Sequence, residues 1–364
     1  MYYHDMNLCK EINNHHINPK HLTDDMASKL GGKECVPRLA NSVFATNDLE
    51  WIIKENDFIL LAITMSGLPE ILNFVKPFIA RKKKNTCIIS PIKGLSSDDK
   101  TKELITPSQL INIYLYNLMH KFDVVCMGGP FFDIDIALGK PVCLTIAGSS
   151  KTAKMIKTEL LKCNRRELSS YYNRDMIGSE ACGALKNIVA NIKGVTDSLN
   201  LGNSLPGTLF ARSGVEIRSI SMLLGGDFQA FHSQAGVGDL YVTISSEASK
   251  NYRYGKLFYE MYNGNPIETN KNILERIDGS PEGPHTIRSV HRYIEKKNMY
   301  SPLFNSAYKI FNEFSTKKEI EETIIQACQL DRRNKEYISP FSRLLYRLMP
   351  NWWYRRDKGL TSHW

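Results

Sequence analysis

The stretch Phe122–Cys163, FDVVCMGGPFFDIDIALGKPVCLTIAGSSKTAKMIKTELLKC, sets the fold class. Residues 122–127 are a short apolar run of strand composition. Gly128-Gly129-Pro130 makes a tight turn in which the backbone can approach a ligand. Residues 141–148, PVCLTIAG, are a second apolar run, and Ser149 opens a Ser-capped helix over 149–163. Toward the N-terminus the alternation continues. DFILLAIT (57–64) reads as a buried strand, LPEILNFVKPFIA (68–80) has helical periodicity, NTCIIS (85–90) is a strand, and SQLINIYLYNLMH follows. Strands alternating with helices predict a parallel sheet with helices on both faces. From about Asn173 the pattern is almost wholly helical. The chain therefore divides into an α/β domain over 1–172, an all-α domain over 173–329 and a basic, aromatic extension over 330–364.

The helical half begins with GSEACGALKNIVANIKGVTDSLNLG, Gly178–Gly202. On a helical wheel Leu185, Ile188, Val189, Ile192 and Val195 share the core arc. Gly183, Lys186, Asn187, Ala190, Gly194, Asp197 and Ser198 share the other. A solvated face more often carries Glu, Lys, Arg and Gln, the better helix formers. Small residues let something approach the helix closely; the plain alternative is a wet face that happens to be small.

Composition narrows the class. With 364 residues the chain has length for two cores, and 42% hydrophobic with 23% charged residues is the balance of a globular protein. No apolar run is long enough to span a bilayer, and MYYHDMNLCKEINNHH has no apolar signal-peptide core. Together these predict a cytoplasmic protein. The eight cysteines are scattered without a C-x-x-C pair, which predicts buried free thiols rather than disulfides or a metal site. A net charge of +9 favours an anionic substrate or acidic partner, and no nucleic-acid motif accompanies it. In the extension, Phe341, Leu344, Leu345 and Leu348 form a stripe beside Arg343 and Arg347. Such a segment suits either an anionic membrane surface or packing on its own domain or a partner chain.

Four stretches stand where α/β sheets bind ligands, after strand ends or at helix starts. ISPIKGL places Lys93 just past a strand. MGGPFFDIDIALGKP follows the next. The third is the helix with Lys186–Asn187. In the fourth, QAGVGDLYVTISSEASKNYRYG, Gly236-Val-Gly238-Asp239 opens a helix, Thr243 lies one turn on, and Lys250–Asn251 follow. Each alone has a plain reading: a solvated lysine, a helix-capping aspartate.

As a set they resemble the NAD(P)-dependent glycerol-3-phosphate dehydrogenase family. The resemblance rests on GALKNIVANIKGVTDSLNLGN, LGGDFQAFHSQAGVGDLYVT, SPIKGL, EGPHT (282–286) and INPKHL (17–22), and runs to about Gln329. It implies a Rossmann-type domain for NAD or NADP, a helical domain that completes the site, a homodimer, and interconversion of dihydroxyacetone phosphate and sn-glycerol 3-phosphate. It implies that Lys186 is the catalytic lysine, Lys93 the second active-site lysine, and Asp239 and Thr243 members of the same site. Asn187, Lys250, Asn251 and Gly129 are implied for the phosphorylated substrate. Lys93, Lys250, Glu282 and Asp5 are implied to face the cofactor. An acid at His4–Asp5, the end of a second strand MYYHD, leans toward NAD.

The chemistry suits those roles. Hydride arriving at a ketone carbon puts negative charge on oxygen, which an ammonium can stabilise and protonate. A second ammonium and burial would both lower the pKa of Lys186, and Asp239 could hold it. Departures from the family are equally legible. No Gly-x-Gly-x-x-Gly turn occurs in the sequence. The expectation is that roughly the first two dozen residues of the family, the central βα unit, are missing, with a gap or a rearranged sheet as the result. A Val-Pro turn reads Ile63-Thr64-Met65-Ser66, a lysine is lost at Pro206, and Tyr252 replaces an arginine, while Arg212 keeps one. Lys250 stands where the family has a phosphate-binding Arg, and lysine cannot make the same bidentate fork. The alternative is a non-catalytic relative that binds a triose phosphate or a protein without dinucleotide.

Overall fold

The computed structural model describes residues 5–19, 38–82, 85–98, 100–161, 167–277, 281–313 and 316–328. Its first element is a helix, α1 (Met6–His15), and Asp5 is its N-cap: the carboxylate accepts hydrogen bonds from Asn7 N and Leu8 N. Those amides have no partner inside the helix, so the cap satisfies them. Asp5, expected at the end of a strand, begins a helix. The four residues before it lie outside the described residues, as does the extension with its Phe341–Leu348 stripe.

The α/β layer continues with α2 (Leu49–Glu55), β1 (Phe58–Leu60), α3 (Leu68–Arg81), β2 (Thr86–Ser90), a ribbon of β3 (Ser96–Ser97) and β4 (Leu104–Ile105), α4 (Pro107–Tyr114) and β5 (Phe122–Gly128). It ends with α5 (Asp133–Ala137), β6 (Val142–Gly148), α6 (Ser150–Leu161) and β7 (Leu168–Asn173). The sheet order is β1-β2-β5-β6-β7. The pairs β1–β2, β2–β5 and β6–β7 are parallel, but β5–β6 is antiparallel, with Val125 opposite Gly148. The parallel sheet expected from the sequence is thus a mixed one. Between β5 and β6 the only helix is the five-residue α5. That is too little to carry the chain back to the start of the sheet, which a parallel crossover requires. Strand β7 was not expected: LSSYYN is polar, and only Ser170 of it is buried.

Helices cover both faces. On one, Ile59 and Ile88 pack with Leu49, Leu68, Leu72, Val75 and Ile111 of α2, α3 and α4. On the other, Val125 and Ile146 meet Ala153 and Ile156 of α6. This second cover stops short of β1, whose Phe58 and Leu60 are 46% and 54% exposed. Among the described residues no strand pairs with the outer edge of β1.

The helical layer comprises α7 (Met176–Ser198), α8 (Leu205–Leu223), α9 (Asp239–Ile244), α10 (Lys250–Met261), α11 (Pro266–Leu274), α12 (Glu282–Lys296), α13 (Pro302–Asn312) and α14 (Lys317–Cys328). Asp175 caps α7 by accepting from Gly178 N at 2.8 Å. This helix is buried all round, Lys186, Asn187, Ala190 and Gly194 included. The face with small residues is therefore covered rather than wet. Part of the cover is α10: a Cβ on Gly255 would lie 1.9 Å from the Asn191 carbonyl oxygen, so the two backbones touch. Around α7 the core gathers Leu185, Ile188, Val189 and Ile192 with Tyr254, Phe258, Ile287 and Phe304. Leu95 and Leu104, on and beside the β3–β4 ribbon, join that same core and so bind the two layers together. The six cysteines among the described residues are free, and all but Cys143 are buried. No helix among the described residues is long and apolar enough to cross a membrane.

Candidate active site

Three segments converge beside the carboxyl ends of β2 and β5. Lys93 follows β2 after Ser90-Pro91-Ile92. Lys186 lies midway along α7. Asp239 and Thr243 lie one turn apart on α9, which a π-helical turn over Gln234–Gly238 introduces. Asp239 has helical backbone angles (φ −68°, ψ −34°), so it is the first residue of the helix rather than its cap. It points inward instead and is 1% exposed.

Asp239 receives both lysines. Lys186 Nζ donates to its Oδ1, and Lys93 Nζ lies 3.3 Å from Oδ1 and 3.1 Å from Oδ2. Lys186 Nζ also donates to Thr243 Oγ1 at 2.7 Å, and that hydroxyl donates in turn to the Asp239 carbonyl at 2.6 Å. Asn187 Nδ2 donates to the Lys93 carbonyl at 3.3 Å. Two of the three Lys186 protons are thereby directed, which leaves the third to aim at a ligand. The cluster is closed on the Lys186 side and open on the other: Lys186 is 4% exposed, whereas the Lys93 side chain is 24% exposed. Burial pulls the Lys186 ammonium down to about 7; Asp239 opposes that, and the neighbouring Lys93 charge adds to it.

The remaining expected residues take up several places. Gly129 has φ +125°, and a Cβ there would lie 2.6 Å from the Cys143 carbonyl oxygen, so only glycine fits at this turn. The turn carries Phe131, whose ring centroid is 4.9 Å from Lys93 Nζ. Phe131 was not among the expected residues; its signal was its place two residues beyond a glycine that turns the chain into the cleft. Glu282, the first residue of α12, sits against the Lys93–Gly94 backbone: its Oε2 is 3.2 Å from where a Gly94 Cβ would be, and burial raises its pKa. Asn251 Oδ1 accepts from Gly283 N at 2.9 Å and so fixes the start of α12. Lys250, one residue earlier, is exposed in the first turn of α10. Asp5 is not part of this group; its carboxylate serves α1. Tyr252 is committed to α7, donating to Asp197 Oδ2 at 2.7 Å. Arg212 pairs with buried Glu216, which accepts from Ser301 Oγ, Leu303 N and Phe304 N at the start of α13. Among the described residues no group of three or more His, Cys, Asp or Glu side chains could hold a metal ion.

Two family models match the chain. That for the N-terminus of NAD-dependent glycerol-3-phosphate dehydrogenase matches residues 1–154, and that for its C-terminus matches residues 175–322. A glycerol-3-phosphate dehydrogenase [NAD(P)+] of Bacillus subtilis is 28% identical over 309 residues, 84% of this chain and 83% of the relative. Its counterpart in Syntrophomonas wolfei is 29% identical over 300 residues, 82% of this chain and 81% of the relative. Among solved structures, glycerol-3-phosphate dehydrogenase from Plasmodium falciparum superposes with a TM-score of 0.73 at 20% identity, covering 91% of this chain and 86% of that one. The Coxiella burnetii enzyme gives 0.71 at 20% identity, with 90% of each chain covered. At these identities the structures speak for the fold.

Proposed function

The chain belongs to the NAD-dependent glycerol-3-phosphate dehydrogenase family, and we propose that it interconverts dihydroxyacetone phosphate and sn-glycerol 3-phosphate with NAD(P), Lys186 being the proton donor. The observation that carries the mechanism is the meeting of Lys93 and Lys186, from different layers, on one buried carboxylate. Matches over both halves of the chain favour this reading over a non-catalytic relative. The division of labour we propose is cofactor binding over 1–172 and substrate binding with catalysis over 173–329; the sheet's last strand ends at Asn173 and the helical layer starts at Met176.

The residues at the carboxyl ends of β2 and β5 fit the nicotinamide end of the cofactor. Gly129 leaves the backbone bare of a Cβ, Phe131 offers an apolar ring, and Lys93 and Glu282 flank them. When bound there, the cofactor supplies or accepts the hydride. The protein's part is electrostatic and acid–base. As charge builds on the ketone oxygen, the Lys186 ammonium, steadied by Asp239 and Thr243, stabilises it and gives up a proton. Lys93 sharpens that acidity through its repulsion. In the reverse direction the neutral Lys186 amine takes the hydroxyl proton. Lys250, Asn251, Asn187 and a cationic rim at Lys93 would receive the phosphate. Asp5 caps α1 through Oδ1 alone, and its carboxylate remains the basis of the lean toward NAD.

The test is direct. Purified protein, given dihydroxyacetone phosphate with NADH or NADPH, oxidises the cofactor; folded protein without turnover on either overturns the reading. The same reading carries a homodimer in the cytoplasm, checked by light scattering and fractionation. A membrane tether through residues 337–364 is checked by flotation with vesicles, before and after removal of that segment.

A further inference from the structure

One buried carboxyl takes no part in the reaction just described. Glu180 lies on α7 six residues before Lys186, about 9 Å along the helix axis. Its Oε1 accepts from Ser108 N at 2.9 Å and its Oε2 from Ser108 Oγ at 2.6 Å, and Thr106 Oγ1 lies 3.2 Å from that same serine hydroxyl. Thr106 is the N-cap of α4, with a capping box to Gln109. That box leaves the Ser108 amide without a partner inside its own helix. Glu180 supplies the partner from the other layer of the protein.

The contact is an unusual way to pack two helices. An apolar pair would do so without desolvating a carboxyl. Its place in the chain gives it a purpose. Lys93, the β3–β4 ribbon and the first turn of α4 are consecutive. This segment is gripped at several points by the helical layer, Lys296 and Lys297 of α12 among them through the Thr101 carbonyl and Glu103 Oε1. Asn187 holds its near end through the Lys93 carbonyl. Leu95 and Leu104 are sunk in the α7 core. Glu180 holds its far end through Ser108.

Taking the functional reading above as its basis, we propose that Glu180 is a positioning residue: by tying the first turn of α4 to α7, it fixes the segment bearing Lys93 against the helix bearing Lys186 and so sets the spacing of the two ammonium groups on Asp239. Burial pushes the Glu180 acid up to about 7, and its bonds to Ser108, with the Thr106 hydroxyl beside them, restrain the rise. The tie survives its titration, because the serine hydroxyl can donate to a carboxylate or accept from a carboxylic acid. Asp175 on the same helix and Cys126 on β5 are the titratable groups that face Glu180; Lys93 and Asp239 are those that face Lys186.

Three variants of the full chain test this: E180A, E180Q and S108A. Two readouts are needed, the alkaline limb of the pH profile for ketone reduction and the titration of Lys186 followed by NMR of labelled lysine side chains in the absence of substrate. Loosening Lys93 weakens its repulsion of Lys186. The titration should then rise by about half a pH unit in E180A: a unit charge moving from about 5 to about 8 Å at an effective dielectric of about 20 gives about one unit, and the partial exposure of Lys93 roughly halves it. S108A should shift the same way and less. E180Q, which can keep both bonds by turning the serine hydroxyl, should titrate like the parent. A purely structural Glu180 would lower the melting temperature and leave the Lys186 titration unmoved, and that result overturns the proposal. If E180A does not fold, S108A against E180Q decides on the same terms. Absence of turnover in the parent would remove the functional reading, while the NMR titration still judges the tie.

Discussion

Replacing Lys93 by methionine keeps most of the side-chain volume and removes one charge beside Lys186. Both ammonium groups lie on one oxygen of Asp239, which puts them roughly 4–6 Å apart. At about 5 Å and an effective dielectric of about 20 their repulsion is about 3 kcal/mol, or about two pK units. The Lys93 side chain is 24% exposed, so solvent screening brings the expected effect nearer to one unit. The sign follows from which form reacts. Reduction needs the protonated lysine, so kcat holds below its pKa and falls above it. With burial placing the Lys186 pKa at about 7, the parent should lose reduction rate from near neutrality upward. In K93M the limb should move up to about 8, while oxidation of the alcohol, which needs the neutral amine, becomes slower at neutral pH. The assay is kcat against pH in both directions at saturating substrates. A limb that stays in place, or moves down, would show that Lys93 does not act on Lys186 and would refute the electrostatic argument, whatever happens to the absolute rate.

Three further outcomes are expected. D239N leaves two ammonium groups around a neutral amide; the loss of the buried counter-charge should cost about 3–5 kcal/mol in urea unfolding and abolish most of kcat. G255A drives a methyl to 1.9 Å from the Asn191 carbonyl oxygen, and should cost about 3 kcal/mol because backbone, not a flexible side chain, must move. A melting curve like the parent's would mean that α7 and α10 do not cross as described. K250R supplies a planar fork at the position proposed for the phosphate, and the KM for dihydroxyacetone phosphate should fall about threefold or more; an unchanged KM places the phosphate elsewhere.

What the sequence disclosed followed the range of the physical signal. Apolar spacing within 68–80 located α3 to within a residue, because the helix buries Leu68, Leu72, Val75 and Ile79 on one stripe. The β2, β5 and β6 strands declared themselves as apolar, β-branched runs. Strand β7 did not, since its residues are mostly polar and it is recognisable only by its pairing with β6. The direction of β6 was equally hidden, being fixed by the length and turn of Gly129–Pro141 rather than by composition. For α7 the small residues were a true sign of close approach, yet nothing local says that α10 is what approaches. The site is the extreme case: Lys93 and Asp239 are 146 residues apart, and no periodicity links them. Only the resemblance set those residues together, whereas the Asp5 cap on α1 is a local signal that Asp before a helix supplies directly.

Among the described residues, two buried ionic clusters stand in a contrast that separates structure from chemistry. Arg212 and Glu216 form one. Glu216 takes a serine hydroxyl and two amides at the start of α13, and Arg212 is only 8% exposed. That cluster is buried and does the work of a helix cap. The other joins Lys93, Lys186, Asp239 and Thr243, and it is built differently. Two cations share one carboxylate, so the local charge balance is positive, and one of the cations reaches an opening. A buried cluster with surplus positive charge is a poor device for stability, since the desolvation of the second lysine is not met by a second anion. It becomes a sensible arrangement once an anionic phosphate ester and a developing oxyanion enter the same cleft. The burial of α7 on all sides then has its reason too, because a lysine that must meet such an oxyanion needs a support that does not give way.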